Sequence, residues 1–386
     1  MLGSVRNILL ILLAAFVPLG YHPIFFNEVG EQIGMMDKII LCLTILLFLT
    51  VLPLLKKCFR SRFLTLYILL FLIISFDIFL YYSLGLHIQY KEIRTLLIPL
   101  VLVVIGYLSN IRQENVWWIS FVYSIVMVYV GYEQIRLNVG GFVIEDIYHT
   151  SAKNSLGPML TVAGIIAILN ILRGKSKSIC VFMSIIAFLV LVELLTIRAR
   201  LATVAYCVMV AFLLYKYICL YSRKMTLIVI LILLFVIGIT GISFFDSFFD
   251  FFYESFFQNK EDDLLSGRGT GYLLAFDLFC DNPLFGNLSQ GIKIPWVHNY
   301  LLLKMSDLGF LGGLPWFCLY FYIVFQIIKG SFSTNIFLEQ NYGYILMWIP
   351  FIASLGEPTF PYGPGTATFI PFILLGMTLK FNRPVN

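Results

Sequence analysis

Runs of apolar residues separated by short polar breaks organise the whole chain, at about 7–25, 39–55, 63–85, 95–109, 117–135, 156–172, 179–197, 201–221, 225–245, 308–328, 342–355 and 366–380. A helix needs about 20 predominantly apolar residues to cross a bilayer, so twelve spans take roughly 240 positions and leave about 145 for loops. The expectation is an all-α, polytopic helical membrane protein with about twelve transmembrane helices, forming a single integral membrane domain over 1–386. No internal repeat or low-complexity linker divides it. The first run, from Asn7, lacks a small-residue cleavage site and is followed by many more, so it reads as a retained helix rather than a removed signal peptide.

Two of the breaks are long, 136–155 and 246–307. The second opens with its own pattern: Asp246, Asp250, Glu254 and Gln258 recur at helical spacing, opposite a dense Phe surface that includes Phe248, Phe252 and Phe256. Such a helix would lie in the interfacial plane with its Phe face in the acyl boundary. It reads either as a plain extension of the preceding span or as a lateral doorway for a lipid-linked substrate.

Composition narrows the class. The 386 residues are 60% hydrophobic and 12% charged, with 37 Phe and 22 Tyr. Soluble domains run at about 45–50% apolar and 25% charged. A soluble fold could not hide this much apolar surface, which excludes a cytosolic enzyme, a secreted disulfide scaffold and a disordered binder. Nucleic acid is not an expected partner. The seven Cys have no CxxC or Cys/His ligand spacing, so neither a disulfide framework nor a zinc site is indicated. Charge then sets an orientation. With the first end inside, 15 of the 26 Lys and Arg fall on the cytoplasmic side, while only Glu114 and Glu339 among the acids do. An inner-membrane protein with both ends cytoplasmic fits that asymmetry.

Three features break the apolar background. In Thr196-Ile197-Arg198-Ala199-Arg200, two arginines sit between apolar runs on the side where the inside rule disfavours them. They either snorkel to the interface, with Glu193 available as a counter-ion to Arg198, or form an anion site suited to phosphate oxygens. Ser266-Gly267-Arg268-Gly269-Thr270-Gly271-Tyr272, followed by Asn282-Pro283-Leu284-Phe285-Gly286, reads as an exposed turn or as a glycine-lined anion nest. A dinucleotide fingerprint is excluded, because no strand precedes the glycines. His298-Asn299 stands nine residues before Gly309-Phe310-Leu311-Gly312, at the start of a helical run near the outer face. A lone interfacial His is often structural, yet imidazole is also the side chain best suited to exchange a proton near neutral pH. Guanidinium groups and one imidazole on one face suit binding a diphosphate and activating a hydroxyl without a metal.

At these residues the chain resembles the O-antigen polymerase/O-antigen ligase superfamily of bacterial inner membranes, whose members are similar to membrane glycosyltransferases of the GT-C type. His298, Asn299, Gly309 and Gly312 meet the ligase-type pattern His-(Asn/Ser/Gln)-x9-Gly-x-x-Gly. Ser266-Gly267-Arg268 with Asn282 to Gly286 resembles the polymerase pattern, except that Tyr272 stands where an aromatic Trp is often found. Ala199-Arg200 matches the family's Ser-Arg helix start loosely, with Arg198 in an extra position.

The resemblance implies a metal-independent glycosyltransferase that needs no cofactor. Its donor would be glycan on undecaprenyl diphosphate, its acceptor a sugar hydroxyl of a second lipid-linked repeat unit. Arg200 and Arg268 would stabilise the departing diphosphate with Arg198 in support, and His298 would take or orient the acceptor proton. Ser266, Gly267 and Asn299 would complete the substrate site. Membrane lipids and a chain-length regulator are the implied partners. The Asn282–Gly286 run and short loops favour a polymerase over a ligase acting on lipid A-core. A lipid-linked oligosaccharide flippase is the alternative of another class, and it would show paired halves with broken helices in both. Glu357 and Tyr362, in the last outside loop, read equally as groove or turn, and Trp117 with Trp118 as an interfacial belt.

Overall fold

A computed structural model describes residues 2–25, 34–83, 91–109, 113–138, 153–174, 176–197, 199–220, 268–290, 297–333, 341–363 and 365–381. Twelve α-helices occur among them. Eight come in succession: α1 (Leu2–Leu19), α2 (Met35–Val51, prolonged by a 3-10 stretch to Arg60), α3 (Arg62–Ser83), α4 (Lys91–Leu108), α5 (Gln113–Asn138), α6 (Lys153–Arg173), α7 (Lys177–Thr196) and α8 (Arg200–Leu220). Four more follow: α9 (Arg268–Asp281), α10 (Tyr300–Phe332), α11 (Tyr342–Ala353) and α12 (Phe369–Phe381). Seven helices are long and apolar enough to cross a membrane, and α1, α4, α11 and α12 are shorter apolar helices. The chain is built as a multi-pass membrane protein. The proposed ninth run, 225–245, and the Phe-faced helix at 246–258 lie outside the described residues, as do 139–152.

The outward faces agree with a lipid solvent. From Val181 onward the exposed positions of α7 are Val181, Phe182, Ser184, Ile185, Phe188, Leu189 and Val192, apolar but for Ser184, whose hydroxyl donates to the Cys180 carbonyl of its own helix. Many polar side chains turn inward, among them Gln134, Thr161, Asn170 and Glu193. The middle of the bundle is α6, buried on nearly every side by Met159, Leu160, Val162, Ala163, Ile165 and Ile166. Small residues let its neighbours close in, as in other membrane bundles. A Cβ on Gly157 would stand 2.8 Å from that of Ala199, and one on Gly164 would meet the Tyr206 ring of α8. A second close crossing joins α4 to α12, where Gly106 faces the Ile373 carbonyl and Gly376 faces the Val103 carbonyl.

Polar contacts collect at the two ends of the bundle. At one end Arg6 donates to the Thr50 carbonyl at 2.6 Å, and Lys216 of α8 donates to the Ser331 carbonyl of α10. Lys57 and Lys380 join Arg6 there within electrostatic range. At the other end the Gln134 amide donates to the Tyr21 carbonyl at 2.6 Å. The Tyr21 side chain is buried there beside Thr366 and Ser155.

The region after α8 departs from simple crossing. Gly309, inside α10, takes φ 64° and ψ −166°, which no helix contains. The helix folds back on itself there. The Tyr300 ring stacks on Tyr320 with centroids 6.0 Å apart, Lys304 Nζ lies 4.6 Å from the Trp316 ring centre, and a Cβ on Gly313 would sit 3.6 Å from the Lys304 carbonyl. Such pairings join residues placed about equally on either side of 308–310, as an antiparallel hairpin does. Its long arm, 310–332, is the apolar run expected at 308–328. Its short arm, 300–308, returns to the level of Tyr320, about 15 Å along a long arm of about 35 Å. Helices α11 and α12 have 12 and 13 residues. At about 1.5 Å per residue neither crosses a bilayer core of about 30 Å, so the last two expected spans, 342–355 and 366–380, are half-length helices. The cause lies between them, where Pro358, Pro361, Gly363 and Gly365 interrupt the helical ladder.

Candidate functional site

The short arm of α10 begins on Asn299. Its extended backbone and side-chain oxygen cap the helix, with Oδ1 accepting the Leu302 N–H at 3.1 Å. The same side chain donates from Nδ2 to the Leu355 carbonyl at 3.3 Å. The Tyr272 hydroxyl of α9 lies 3.1 Å from the His298 carbonyl and 3.3 Å from that of Leu355, sharing one proton between them. Tyr300 N–H donates to the Ser354 carbonyl at 3.1 Å, and the Tyr320 and Ser354 hydroxyls are 2.9 Å apart. Two distant pieces of chain, 298–300 and 354–357, are thereby pinned together.

Those bonds set His298 beside Glu357, with Nδ1 3.9 Å from Oε2. The two side chains are 27% and 14% exposed, so both are largely removed from water yet reachable. An aromatic floor lies next to them: Tyr300 meets Tyr362 edge-on at 5.6 Å, and Tyr320 packs on Phe351 at 4.8 Å. The imidazole was expected at the end of a span, near the outer face. It stands instead level with the middle of the long arm, because the helix it opens runs backwards from Gly309.

Helix α9 runs along the short arm, with Ala275 and Val297 closing a small apolar contact among Tyr272, Leu278, Leu302 and Leu303. Arg268 is its first residue, one helical turn before Tyr272 and on the same face. The arginine's side chain lies outside the described residues, as do Arg198, Ser266 and Gly267 altogether. Arg200 opens α8, half-buried, where Ala199 and Ala202 close on Gly157 of α6. Of the residues expected in the site, His298 and Asn299 are therefore brought together, Arg268 belongs to the helix that packs on them, and Arg200 stands on the α6 side of the bundle. Glu193, the expected counter-ion of Arg198, is buried near Gly131 of α5.

The glycine motif and the Asn282–Gly286 run prove to be two halves of one joint. Gly286 and Gly309 have φ of 71° and 64°, and each occupies the space where the other would carry a Cβ. Within the turn, Asn282 Nδ2 donates to the Gly286 carbonyl at 2.8 Å. The break at Gly309 frees the N–H groups of Phe310 and Leu311, which donate to the carbonyls of Pro283 at 2.7 Å and Leu284 at 3.0 Å. Phe310 would otherwise have closed on Ser306, whose carbonyl instead accepts from Asn287 Nδ2 at 2.9 Å. The Leu308 carbonyl accepts from the Tyr81 hydroxyl at 3.4 Å, and Gly312 leaves room for that ring. These residues hold the hairpin that carries His298; none of the contacts described puts them on the imidazole.

Three residues play a larger part than the sequence suggests. Glu357 reads from sequence as groove or turn and lies too far along the chain to be paired with His298, and Tyr272 stands out there only as a departure from a family pattern. Lys304 is buried between Tyr300 and Trp316, and the rule that singled out Arg198 would have found it in Leu301-Leu302-Leu303-Lys304. Among the described residues no three His, Cys, Asp or Glu side chains converge as a metal site would need. In comparisons with known proteins, no family model matches this chain and no curated protein resembles it significantly.

Proposed function

We propose that this chain is an O-antigen polymerase of the bacterial inner membrane, with both ends cytoplasmic and its site reached from the periplasmic face. The observation that carries the reading is the His298–Glu357 pair, set at mid-depth in a polytopic bundle at the start of a half-length helix. Basic residues gathered at the opposite end of the bundle, Arg6, Lys57 and Lys380, agree with the orientation.

The acceptor sugar hydroxyl would give its proton to Nε2 of His298 as its oxygen attacks the anomeric carbon of the donor glycan. The bond from that carbon to the phosphate oxygen breaks, and its electron pair leaves on undecaprenyl diphosphate. Arg268 and Arg200 would stabilise that charge, with Arg198, Ser266, Gly267 and Asn299 shaping the site. The product is a glycan one unit longer, and the proton passes to water.

Deletion of the gene, read on a lipopolysaccharide gel, tests the class. A single O-unit on core is expected; core with no O-unit, beside accumulated lipid-linked polymer, would instead make the chain a ligase. His298→Ala and Arg268→Ala in that strain should leave the single-unit band. Full ladders from well-expressed variants would reject the reading. A flippase has one observation in its favour, since α11 and the short arm of α10 end at mid-depth as broken transporter helices do. It predicts unpolymerised lipid-linked units retained on the cytoplasmic leaflet.

A further inference from the structure

Glu357 is held where a carboxylate is costly. Its side chain is 14% exposed, and a shielded carboxylate is stable only near a compensating charge or donor. The imidazole of His298 is one such group, with Nδ1 3.9 Å from Oε2. Three donors fix the backbone around the pair: the Tyr272 hydroxyl, shared between the carbonyls of His298 and Leu355, the Asn299 amide to that of Leu355, and the Tyr300 N–H to that of Ser354. That much pinning makes the approach a designed feature of the local fold rather than a chance encounter of two mobile side chains. A separation of 3.9 Å is longer than a hydrogen bond, and such contacts tighten when substrate excludes water or the ring gains a proton.

A carboxylate on the Nδ1 side does two things to an imidazole. It retains the proton on Nδ1, which leaves Nε2 as the acceptor, and it stabilises the imidazolium once that acceptor has been used. We propose that Glu357 is the positioning residue of His298, fixing its tautomer so that Nε2 faces the acceptor hydroxyl. This rests on the reading of His298 as the proton acceptor, and the experiment separates the two.

The full chain, labelled with ¹⁵N-histidine in lipid nanodiscs, has four His, and His298→Gln assigns the signal of interest. The wild-type spectrum decides first: neutral His298 should carry its proton on Nδ1, and a proton on Nε2 overturns the proposal. In Glu357→Leu the proton should move to Nε2 while the His22 signal, far off against Tyr129, stays in place as the folding control. An unmoved tautomer in that variant also overturns it. Glu357→Asp should restore the wild-type tautomer in part. In a polymerisation assay with a lipid-diphosphate-linked repeat unit, Glu357→Leu should lower kcat by about 10–100-fold with KM little changed. A switched tautomer with undiminished kcat would uphold the pair and overturn His298 as the base.

Discussion

Gly174 and Gly309 share a φ of 64°, yet one could be replaced at modest cost and the other could not. Gly174 turns the chain between α6 and α7 with open space where a Cβ would go. Gly309 turns it inside α10, with the backbone of Leu284 and Gly286 packed into that space. The contrast runs through the whole molecule. In α1 to α8 the helices run on through the apolar layer, and breaks fall at the ends where water can satisfy freed peptide groups. From α9 onward the chain turns back at Gly309, and its helices start at Asn299 and stop at Ala353 level with the middle of the long arm, within the layer, where each freed N–H or carbonyl needs a protein partner. Tyr272, Asn299 and Tyr300 supply bonds there, while the Asn282–Gly286 turn, Asn287 and Tyr81 supply them at the joint. A non-helical site at depth is thus bought with a set of backbone contacts that have no role in an uninterrupted span.

The largest effect should come from breaking that joint. Gly309→Ala adds left-handed strain and a backbone collision, together roughly 2–5 kcal/mol, whereas Gly174→Ala adds only the strain, about 1–2 kcal/mol. Thermal unfolding of the purified full chain, followed by loss of monodisperse protein, should rank them clearly. Equal midpoints would show that the joint contributes nothing.

Next in size is Asn287→Ala. Its amide donates to the Leu278 carbonyl at 3.0 Å and to that of Ser306 at 2.9 Å, and the residue is 1% exposed. Leu278 retains the Asn282 N–H, but the donor that would close on Ser306 has gone to Pro283. A buried carbonyl left without its partner costs about 1–3 kcal/mol. Because α9 and the short arm would loosen together, the proposed polymerisation should fall further than stability does. A variant with a lowered midpoint and unaltered ladders would separate the joint from the site.

The two regions were also unequally legible in the sequence. Expected runs at 63–85, 156–172 and 179–197 coincide with Arg62–Ser83, Lys153–Arg173 and Lys177–Thr196 to within a few residues. Hydropathy records whether a segment belongs in the apolar layer, and for continuous spans that is nearly the whole answer. It does not record direction. The stretch 300–332 is largely apolar on both sides of Gly309, with Lys304 and Asp307 among its few charges, so hydropathy does not tell a helix that reverses there from one that continues. The motif spacing from His298 to Gly309 and Gly312 was legible as a pattern, but its meaning depends on residues 282–287 and on Tyr81, which only the fold brings near. Glu357 meets His298 because the neighbouring Asn299 side chain bonds the Leu355 carbonyl across 56 residues, beyond any local periodicity.

The smallest effect should lie in the first region and completes the comparison. Ser124 of α5 donates from Oγ to the Ala163 carbonyl of α6 at 3.1 Å, fully buried like Asn287. Judged by burial and bond length alone, Ser124→Ala should cost as much as Asn287→Ala. The acceptors differ. Ala163 lies mid-way along an unbroken helix, so its carbonyl keeps its place in the ladder when the serine bond is lost. Side-chain bonds of this kind between membrane helices are worth about 0.6 kcal/mol on average. Ser124→Ala should therefore shift the unfolding midpoint by a small fraction of the Asn287→Ala shift and leave ladders intact. Comparable losses from the two would mean that a carbonyl's place in a helix does not set the cost, and the distinction between through-running and broken helices would lose its energetic basis.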